Sequence, residues 1–292
     1  MCDEDSIDDM IDYNVRSRSL SRRQFSGMTL GATLMAALSP VANAAETKES
    51  EVEIKTPDGS ADAYFVHPIT GKHAGVLVWP DIFGLRPAFR QMGKRLAESG
   101  YSVLVVNPFY RTKKAPTSPE HPNFNDPPTR QALMGLMNSL TPTTTKTDAK
   151  AFIGFLDSQD ATDRKRKIGT TGYCMGGPLV FETAAAVVDR VGAGATFHGG
   201  GLVTDKPDSP HLLIPRMKAH FLIAIAENDD QKQPEAKNVL RDSFAKAKLP
   251  AEIEVYKGAL HGWCPPDSQV YNQEQAEKAW SRLLILFKAA LA

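Results

Sequence analysis

A cysteine flanked by glycines is the residue of this 292-residue chain best suited to covalent chemistry. Cys174 lies in the sequence Gly-Tyr-Cys-Met-Gly-Gly over residues 172–177, directly after the apolar stretch 167–171. Glycines two positions before and after a nucleophile allow a sharp turn from strand to helix without a Cβ clash. The turn places the thiol at the head of a helix, where backbone N–H groups stabilise a thiolate. The pattern therefore predicts a nucleophilic thiol at Cys174; the alternative is a small buried residue at a strand–helix junction.

An acid and a histidine follow Cys174 along the chain, in the order that hydrolases with such a turn use. Asp229 and Asp230 come after the apolar run 221–226, and His261 lies between the last predicted strand and the last predicted helix. A histidine can take the proton of the thiol and later give it to the leaving oxygen. A carboxylate holds the imidazole in the required tautomer. We therefore predict His261 as the base, with one of the two aspartates as its partner; a capping or core histidine is the alternative.

Backbone N–H groups that could stabilise an oxyanion are predicted at two places. One is Met175, which follows Cys174 at the head of the helix. The other is Ile82, which comes just after the apolar run 75–79, where hydrolases of this kind donate their second N–H. Both amides are expected to face the negative oxygen of a tetrahedral intermediate.

Five segments together resemble the dienelactone hydrolase (carboxymethylenebutenolidase) family, and they occur in the family's order over about residues 76–288. They are Trp-Pro-Asp-Ile-Phe-Gly at 79–84, Asn-Pro-Phe-Tyr-Arg at 107–111, the Cys174 turn, the Asp229 turn and His-Gly-Trp at 261–263. The resemblance implies an α/β-hydrolase fold and hydrolysis of an ester or lactone, with no metal or organic cofactor. It also favours Asp229 over Asp230, because residues 226–229 match the family's Gly-x-x-Asp turn.

The same resemblance implies substrate contacts at Asp81, Tyr110 and Arg111. In the family, a Glu before the Ile contacts the resting cysteine; here that residue is Asp81, one methylene shorter. A tyrosine and an arginine in the spacing Tyr-x-Arg help to hold a substrate carboxylate, whereas Tyr110 and Arg111 are adjacent. Arginine suits this role through bidentate contacts. The alternatives are that Asp81 caps a turn and that Arg111 is a surface residue.

The first 44 residues are typical of an export signal. Ser-Arg-Arg-Gln-Phe at 21–25 resembles a twin-arginine signal, an apolar run follows at 27–38, and Ala-Asn-Ala at 42–44 resembles a cleavage site. The apolar run is too short for a permanent membrane-spanning helix. We predict export by the twin-arginine machinery, cleavage after Ala44, and a periplasmic or otherwise exported domain, residues 45–292, that is not held in the membrane. A short membrane anchor or a buried helix is the alternative.

Basic and acidic residues balance, at 34 each. Nucleic acids and anionic membrane surfaces are therefore not expected partners. The expected partner is a small-molecule ester or lactone substrate, and the domain is expected to be a monomer. The sequence has no HExxH, no CxxC, no zinc-spaced Cys/His cluster and no nucleotide-binding glycine loop, so no metal or cofactor is predicted. Cys174 and Cys264 remain after signal cleavage, too few for a disulfide framework.

The elements that position these residues alternate between strand and helix after an antiparallel hairpin predicted over 51–67. The predicted strands are 75–79, 101–106, 168–172, 193–197, 221–226 and 252–256, and the predicted helices are 90–99, 147–159, 176–188, 235–248 and 274–291. Residues 112–130, rich in Pro, Lys, Asn and Thr, are predicted to form a long loop that serves as a lid or rim. The alternation predicts a single α/β domain with a mainly parallel sheet and helices on both faces, the α/β-hydrolase fold.

These features together predict a hydrolase that cleaves an ester or lactone through an acyl-enzyme at Cys174. Activated enol-lactones suit a thiolate nucleophile, whereas simple amides have leaving groups that are too poor. Two alternatives stay open. One is a broad-specificity esterase or thioesterase of the same fold. The other is a non-catalytic, redox-sensing binding protein in which Cys174 pairs with Cys264; for Cys264, a packing role is favoured, since a free cysteine usually behaves as a small hydrophobe.

Overall fold

The computed structural model describes residues 38–119 and 124–292. Most of the predicted export signal, residues 1–37, lies outside these ranges, so its cleavage stays a prediction. Leu38 packs against the apolar core, and the Ala45 N–H donates a hydrogen bond to the carbonyl of Glu98 at 2.9 Å. Within the described ranges, no helix is both long and apolar enough to cross a membrane.

An eight-stranded sheet in the order β1-β2-β4-β3-β5-β6-β7-β8 forms the centre of the structure. Its strands are β1 (Thr47–Thr56), β2 (Gly59–Pro68), β3 (Gly75–Trp79), β4 (Ser102–Val106), β5 (Ile168–Tyr173), β6 (Val191–Phe197), β7 (His220–Ala226) and β8 (Ala251–Tyr256). β1 and β2 form the predicted antiparallel hairpin, and β2 pairs antiparallel with β4. All pairs from β4 to β8 are parallel. β3, β4 and β5 are buried at every residue, as expected for strands covered on both faces.

Helices cover both faces of this sheet. They are α1 (Pro87–Glu98), α2 (Pro127–Asn138), α3 (Pro142–Ser158), α4 (Gly176–Ala186), α5 (Glu227–Lys232), α6 (Ala236–Ala247) and α7 (Gln273–Ala290), with a 3-10 helix at Pro210–Arg216. The apolar side chains of α3, α4 and α6 join one core layer, which we call the first layer. Those of α1 and α7 join the layer on the other face, the second layer. The arrangement confirms the predicted α/β fold.

Helix α2 is the main departure from prediction, because it begins inside the segment 112–130 that its composition predicts to be a loop. The Asp126 side chain caps this helix by accepting a hydrogen bond from the Thr129 N–H at 3.1 Å. Prolines follow the cap in the first turn, where a backbone N–H would have no partner within the helix, so its absence costs no hydrogen bond. Helix α3 begins in the same way, with Thr141 as cap and Pro142 in the first turn. Proline marks helix starts here, although it makes the local composition look like that of a loop.

The carboxyl ends of the parallel strands collect most of the predicted site residues at one edge of the sheet. Asp81 and Ile82 follow β3, Cys174 follows β5, and His261 follows β8. Asp229 lies in the short helix α5, directly after β7, and not in an open turn. Open α/β sheets bind their ligands at this edge. The fold therefore brings together residues that are far apart in the chain.

His198 lies at the same edge, after β6, and is buried. Its backbone has a φ of +43°, a left-handed value that histidine adopts more readily than most residues. The ring packs against His261 and Trp263, with ring centroids 5.1 Å away in each case. Burial, with a smaller contribution from His261, holds the pKa of His198 well below its usual value of 6.5.

We expect His198 to make the fold sensitive to mild acid. In the unfolded chain His198 takes up a proton as the pH falls through 6.5, whereas the buried ring does so only at lower pH. The free energy of unfolding is therefore unaffected by this group above pH 6.5. It falls as the pH drops below 6.5, by up to about 1.4 kcal/mol per pH unit. His198→Asn suits the left-handed backbone and cannot titrate. Urea unfolding at several pH values should show a smaller loss of stability with acid in the variant. Equal pH slopes in the two proteins would contradict the prediction.

Candidate active site

Cys174 occupies a strained turn between β5 and α4. Its φ is +51°, in the left-handed region that non-glycine residues enter at a cost of about 1–3 kcal/mol. Two backbone hydrogen bonds hold the turn. The Cys174 N–H donates to the carbonyl of Phe197 at 3.1 Å, and the Gly177 N–H donates to the Cys174 carbonyl at 2.9 Å. The thiol residue is buried, with 4% exposure, at the head of α4.

The flanking glycines are required by close approach of the backbone. A Cβ atom on Gly172 would lie 2.1 Å from the carbonyl oxygen of Gly176, well inside contact distance. A Cβ atom on Gly176 would lie 2.5 Å from the carbonyl oxygen of Trp79 and 2.8 Å from that of Pro80. The start of α4 is therefore packed directly onto the chain that leaves β3.

That close packing places the two predicted oxyanion donors on neighbouring segments. Met175 precedes Gly176 at the start of α4, where the first N–H groups have no partner within the helix. Ile82 lies two residues beyond Pro80 and is buried, with 1% exposure. A positive helix end and an adjacent backbone amide are the features that stabilise a developing oxyanion.

His261 and Asp229 are in direct contact. The Nδ1 of His261 lies 2.8 Å and 3.0 Å from the two carboxylate oxygens of Asp229. The His261 N–H donates a hydrogen bond to the side chain of Asn228 at 2.9 Å, which fixes the loop against α5. Asp230 points elsewhere and pairs with Lys237 at 2.6 Å. The predicted contact of Asp229, and not of Asp230, with the histidine is thus present, whereas the contact of Asn228 with the His261 N–H was not predicted.

The side chain of Asp81 is occupied by groups of the protein. Its carboxylate oxygens accept hydrogen bonds from Arg86 at 2.6 Å and 3.0 Å, and one of them also accepts from the Phe83 N–H. Arg86 in turn binds Asp267. Burial raises the pKa of the Asp81 carboxyl, and the charge of Arg86 opposes the rise. These contacts match the turn-capping alternative, and a role of Asp81 in substrate binding stays a prediction.

Tyr110 and Arg111 likewise bind other side chains of the protein. Both donate hydrogen bonds to the buried carboxylate of Asp148 on α3, at 2.7–2.8 Å. Arg111 also pairs with Asp58 in the β1–β2 turn at 2.6 Å. Burial raises the pKa of the Asp148 carboxyl, and Arg111 opposes the rise. The structure thus places this pair with the hairpin and α3; a substrate-carboxylate role stays a prediction. Asp148 went unnoticed in the sequence, although an acid on the inward face of a helix was a signal.

Two clefts adjoin the site. The α4 cleft has a volume of about 550 Å³. It is lined by Met175, Pro178, Leu179 and Glu182 of the α4 segment and by several residues within 137–145 and 203–210. The α5 cleft, of about 370 Å³, is lined by residues 199–203 and by Asp229 with its neighbours on α5 and α6. Val203 and Gln233 line both clefts, so the two spaces adjoin. Both volumes fall in the range of small-molecule sites.

Cys264 belongs to the second core layer, whereas Cys174 belongs to the first. Neither forms a disulfide, and burial raises the pKa of the Cys264 thiol well above its usual value. These features favour the packing role for Cys264. In the part of the chain that the structure describes, no cluster of three or more His, Cys, Asp or Glu side chains could hold a metal ion.

Known proteins resemble this chain in sequence and in fold. Carboxymethylenebutenolidase 2 of Cupriavidus pinatubonensis is 29% identical over 191 residues, which cover 64% of this chain and 72% of that protein. A structure of a dienelactone hydrolase-like promiscuous phosphotriesterase from metagenomic libraries has a TM-score of 0.69 at 20% identity, covering 84% of this chain and 99% of that one. Dienelactone hydrolase from Anabaena variabilis has a TM-score of 0.60 at 16% identity, with the same two coverages.

The two structural matches show a shared fold. The sequence model of the dienelactone hydrolase family matches residues 61–291, which is most of the chain. Together with the parallel sheet and the turn at Cys174, this match gives the class of reaction as well as the architecture. The chain therefore belongs to the dienelactone hydrolase family and is a hydrolase of esters or lactones.

Proposed function

We propose that the protein hydrolyses its ester or lactone through an acyl-enzyme formed by Cys174, His261 and Asp229. The observation that carries the proposal is the contact of His261 Nδ1 with the Asp229 carboxylate at 2.8 Å. A carboxylate at Nδ1 keeps the proton on that nitrogen, which leaves Nε2 as the basic site. The strained turn at Cys174, on the neighbouring part of the same sheet edge, supports the assignment of the nucleophile.

In the proposed mechanism, His261 takes the thiol proton and the Cys174 sulfur attacks the substrate carbonyl. The N–H groups of Met175 and Ile82 donate hydrogen bonds to the oxyanion. Collapse of the tetrahedral intermediate breaks the bond to the leaving oxygen, which takes the proton from His261. A water molecule then attacks the thioester with His261 as base, and the thiol leaves. Asp229 stabilises the imidazolium in both halves of the reaction.

Thiolate chemistry limits the substrate class. A thiolate is itself a good leaving group, so the partition of the intermediate between product and returned substrate depends on how good the other leaving group is. Activated esters and enol-lactones favour product, and simple amides favour return to substrate. The name of the Cupriavidus relative, a carboxymethylenebutenolidase, supports a lactone. A broad esterase or thioesterase is the alternative, and it would hydrolyse p-nitrophenyl esters better than dienelactone.

We also propose that residues 1–44 direct export by the twin-arginine route and that the mature domain works as a monomer in the periplasm. In a bacterium with this pathway, the periplasmic protein should begin at Ala45 by intact mass. Changing Arg22 and Arg23 to Lys should keep the protein in the cytoplasm, because the pathway reads the arginine pair. The matched control changes Arg16 and Arg18 to Lys and should leave export intact. Equal export of both variants would contradict the assignment.

We predict a burst of p-nitrophenol when the full chain meets p-nitrophenyl acetate, because acylation of Cys174 precedes slower hydrolysis of the thioester. Cys174→Ala and His261→Ala should lose the burst and about 10³-fold or more of the turnover rate. Cys264→Ala removes a thiol from the other core layer and should keep the burst. Stopped-flow absorbance gives the amplitude. A burst that survives Cys174→Ala would rule out this nucleophile and reopen the redox-sensing alternative.

Asp229 and Asp230 provide a matched pair of variants. Asp229→Asn removes the acceptor at His261 Nδ1 and should lower kcat by about 10²- to 10⁴-fold. Asp230→Asn removes only the pair with Lys237 and should leave kcat near that of the wild type. Steady-state rates on one activated ester make the comparison. Equal losses in the two variants would mean that the acid has been assigned wrongly.

A further inference from the structure

Helix α4, which begins just after Cys174, presents the carboxyl group of Glu182 to the α4 cleft. Met175, Pro178, Leu179 and Glu182 line the α4 cleft. This spacing places the four residues on one face of a helix. Glu182 lies about 10 Å along the helix from Met175, since each residue adds about 1.5 Å. The cleft therefore borders both Met175, the neighbour of Cys174, and a carboxyl group two turns along the helix.

Glu182 is buried without an adequate partner. Its side chain is 7% exposed, and its Oε2 atom has no hydrogen-bond partner among the described residues. Among the described residues, Lys146 is the cation nearest to that oxygen, at 3.9 Å, which is beyond hydrogen-bond distance, and Arg216 has a weaker effect of the same sign on this carboxyl. Burial raises the pKa of this carboxyl. A buried polar group that lacks a partner is costly, so its place beside a cleft calls for a functional explanation.

Two further acidic residues line the cleft. They are Asp205 and Asp208, and Lys206 is the one basic side chain among the described lining residues. Charge repulsion and the cost of burying a second carboxylate beside Glu182 both work against an anionic substrate here. A donor group gains a hydrogen bond in the same place.

We propose that the α4 cleft binds the part of the substrate that carries a hydrogen-bond donor, a hydroxyl or an ammonium group, which contacts Glu182. The inference deepens the proposed hydrolase function and rests on it. It assigns the enzyme to neutral or cationic esters and lactones whose donor lies at the far end of the acyl group from the scissile carbonyl. The pairing of Arg86 and Arg111 with protein carboxylates is consistent with it, since a substrate carboxylate would have to compete with those partners.

The test compares p-nitrophenyl hexanoate with three analogues whose acyl chain ends in a hydroxyl, an ammonium or a carboxylate group. The full-length wild type should prefer the hydroxyl and ammonium esters to the hexanoate, and should disfavour the carboxylate ester, each by about tenfold in kcat/KM. Glu182→Gln keeps the shape of the side chain and should lose most of the preference for ammonium over carboxylate. For each protein the result is the ratio of kcat/KM values for two esters, so a loss of activity that is equal for all esters leaves the ratio unchanged.

The matched control is Asp189→Asn, which makes the same charge change at an exposed carboxylate paired with Lys218. Its ratios should equal those of the wild type. Circular dichroism and thermal unfolding verify that Glu182→Gln is folded. Unchanged ratios in folded Glu182→Gln, or a wild type that prefers the carboxylate ester, would overturn the inference.

A second measurement keeps the inference separate from the hydrolase proposal. Cationic aminoethyl and anionic sulfonatoethyl methanethiosulfonates each form a disulfide with a thiolate and release methanesulfinate, so they report local charge without ester hydrolysis. The measured quantity is the rate with the cationic reagent divided by the rate with the anionic one. This ratio should be several-fold higher for Cys174 than for free cysteine, and Glu182→Gln should reduce that excess. Peptide mass spectrometry measures the rate at Cys174. If no ester is hydrolysed but the excess depends on Glu182, the proposed acyl-enzyme mechanism fails, whereas the inference that Glu182 makes the cleft negative is supported. An excess that does not depend on Glu182 refutes the cleft inference.

Discussion

The close approach of α4 to the chain leaving β3 is the constraint on which the rest of the site depends. Gly176 lies so near the carbonyls of Trp79 and Pro80 that no side chain fits between them. This contact fixes where α4 begins, and the left-handed turn at Cys174 is the way in which the chain reaches that start from β5. The sheet helps to hold the turn, because the Cys174 N–H donates a hydrogen bond to the carbonyl of Phe197 on β6. A rigid parallel sheet can hold such a turn, whereas an isolated strand and helix would relax it.

Carboxylates at this edge of the sheet differ in what neutralises them, and that difference separates their roles. Asp81 and Asp148 are bound by arginines and hold loops and helices together. Asp229 contacts a histidine, whose charge changes during the proposed reaction. Glu182 has a lysine at 3.9 Å and a buried oxygen without a hydrogen-bond partner among the described residues. The roles proposed for these four acids, in structure, catalysis and recognition, follow the partner that the fold gives each of them.

The sequence was sufficient for the features that depend on local chemistry. Glycine spacing predicted the turn at Cys174, and apolar runs predicted the strands of the parallel sheet, because both follow from backbone sterics and burial. Helix α2 was missed, since its prolines and polar cap resemble a loop until the cap geometry is seen. The partners of Arg111 were also missed. Asp58 and Asp148 come from distant segments, and their meeting is a property of the packed fold and not of any local pattern.

Helix α4 has two faces with separate duties. One face lies on the sheet, where the glycine contacts set the position of Cys174. The other borders the α4 cleft through Pro178, Leu179 and Glu182. Substitutions on the cleft face leave the backbone contacts of the turn untouched. By the proposal above, selectivity can therefore be redesigned on the cleft face while the proposed reacting groups keep their positions.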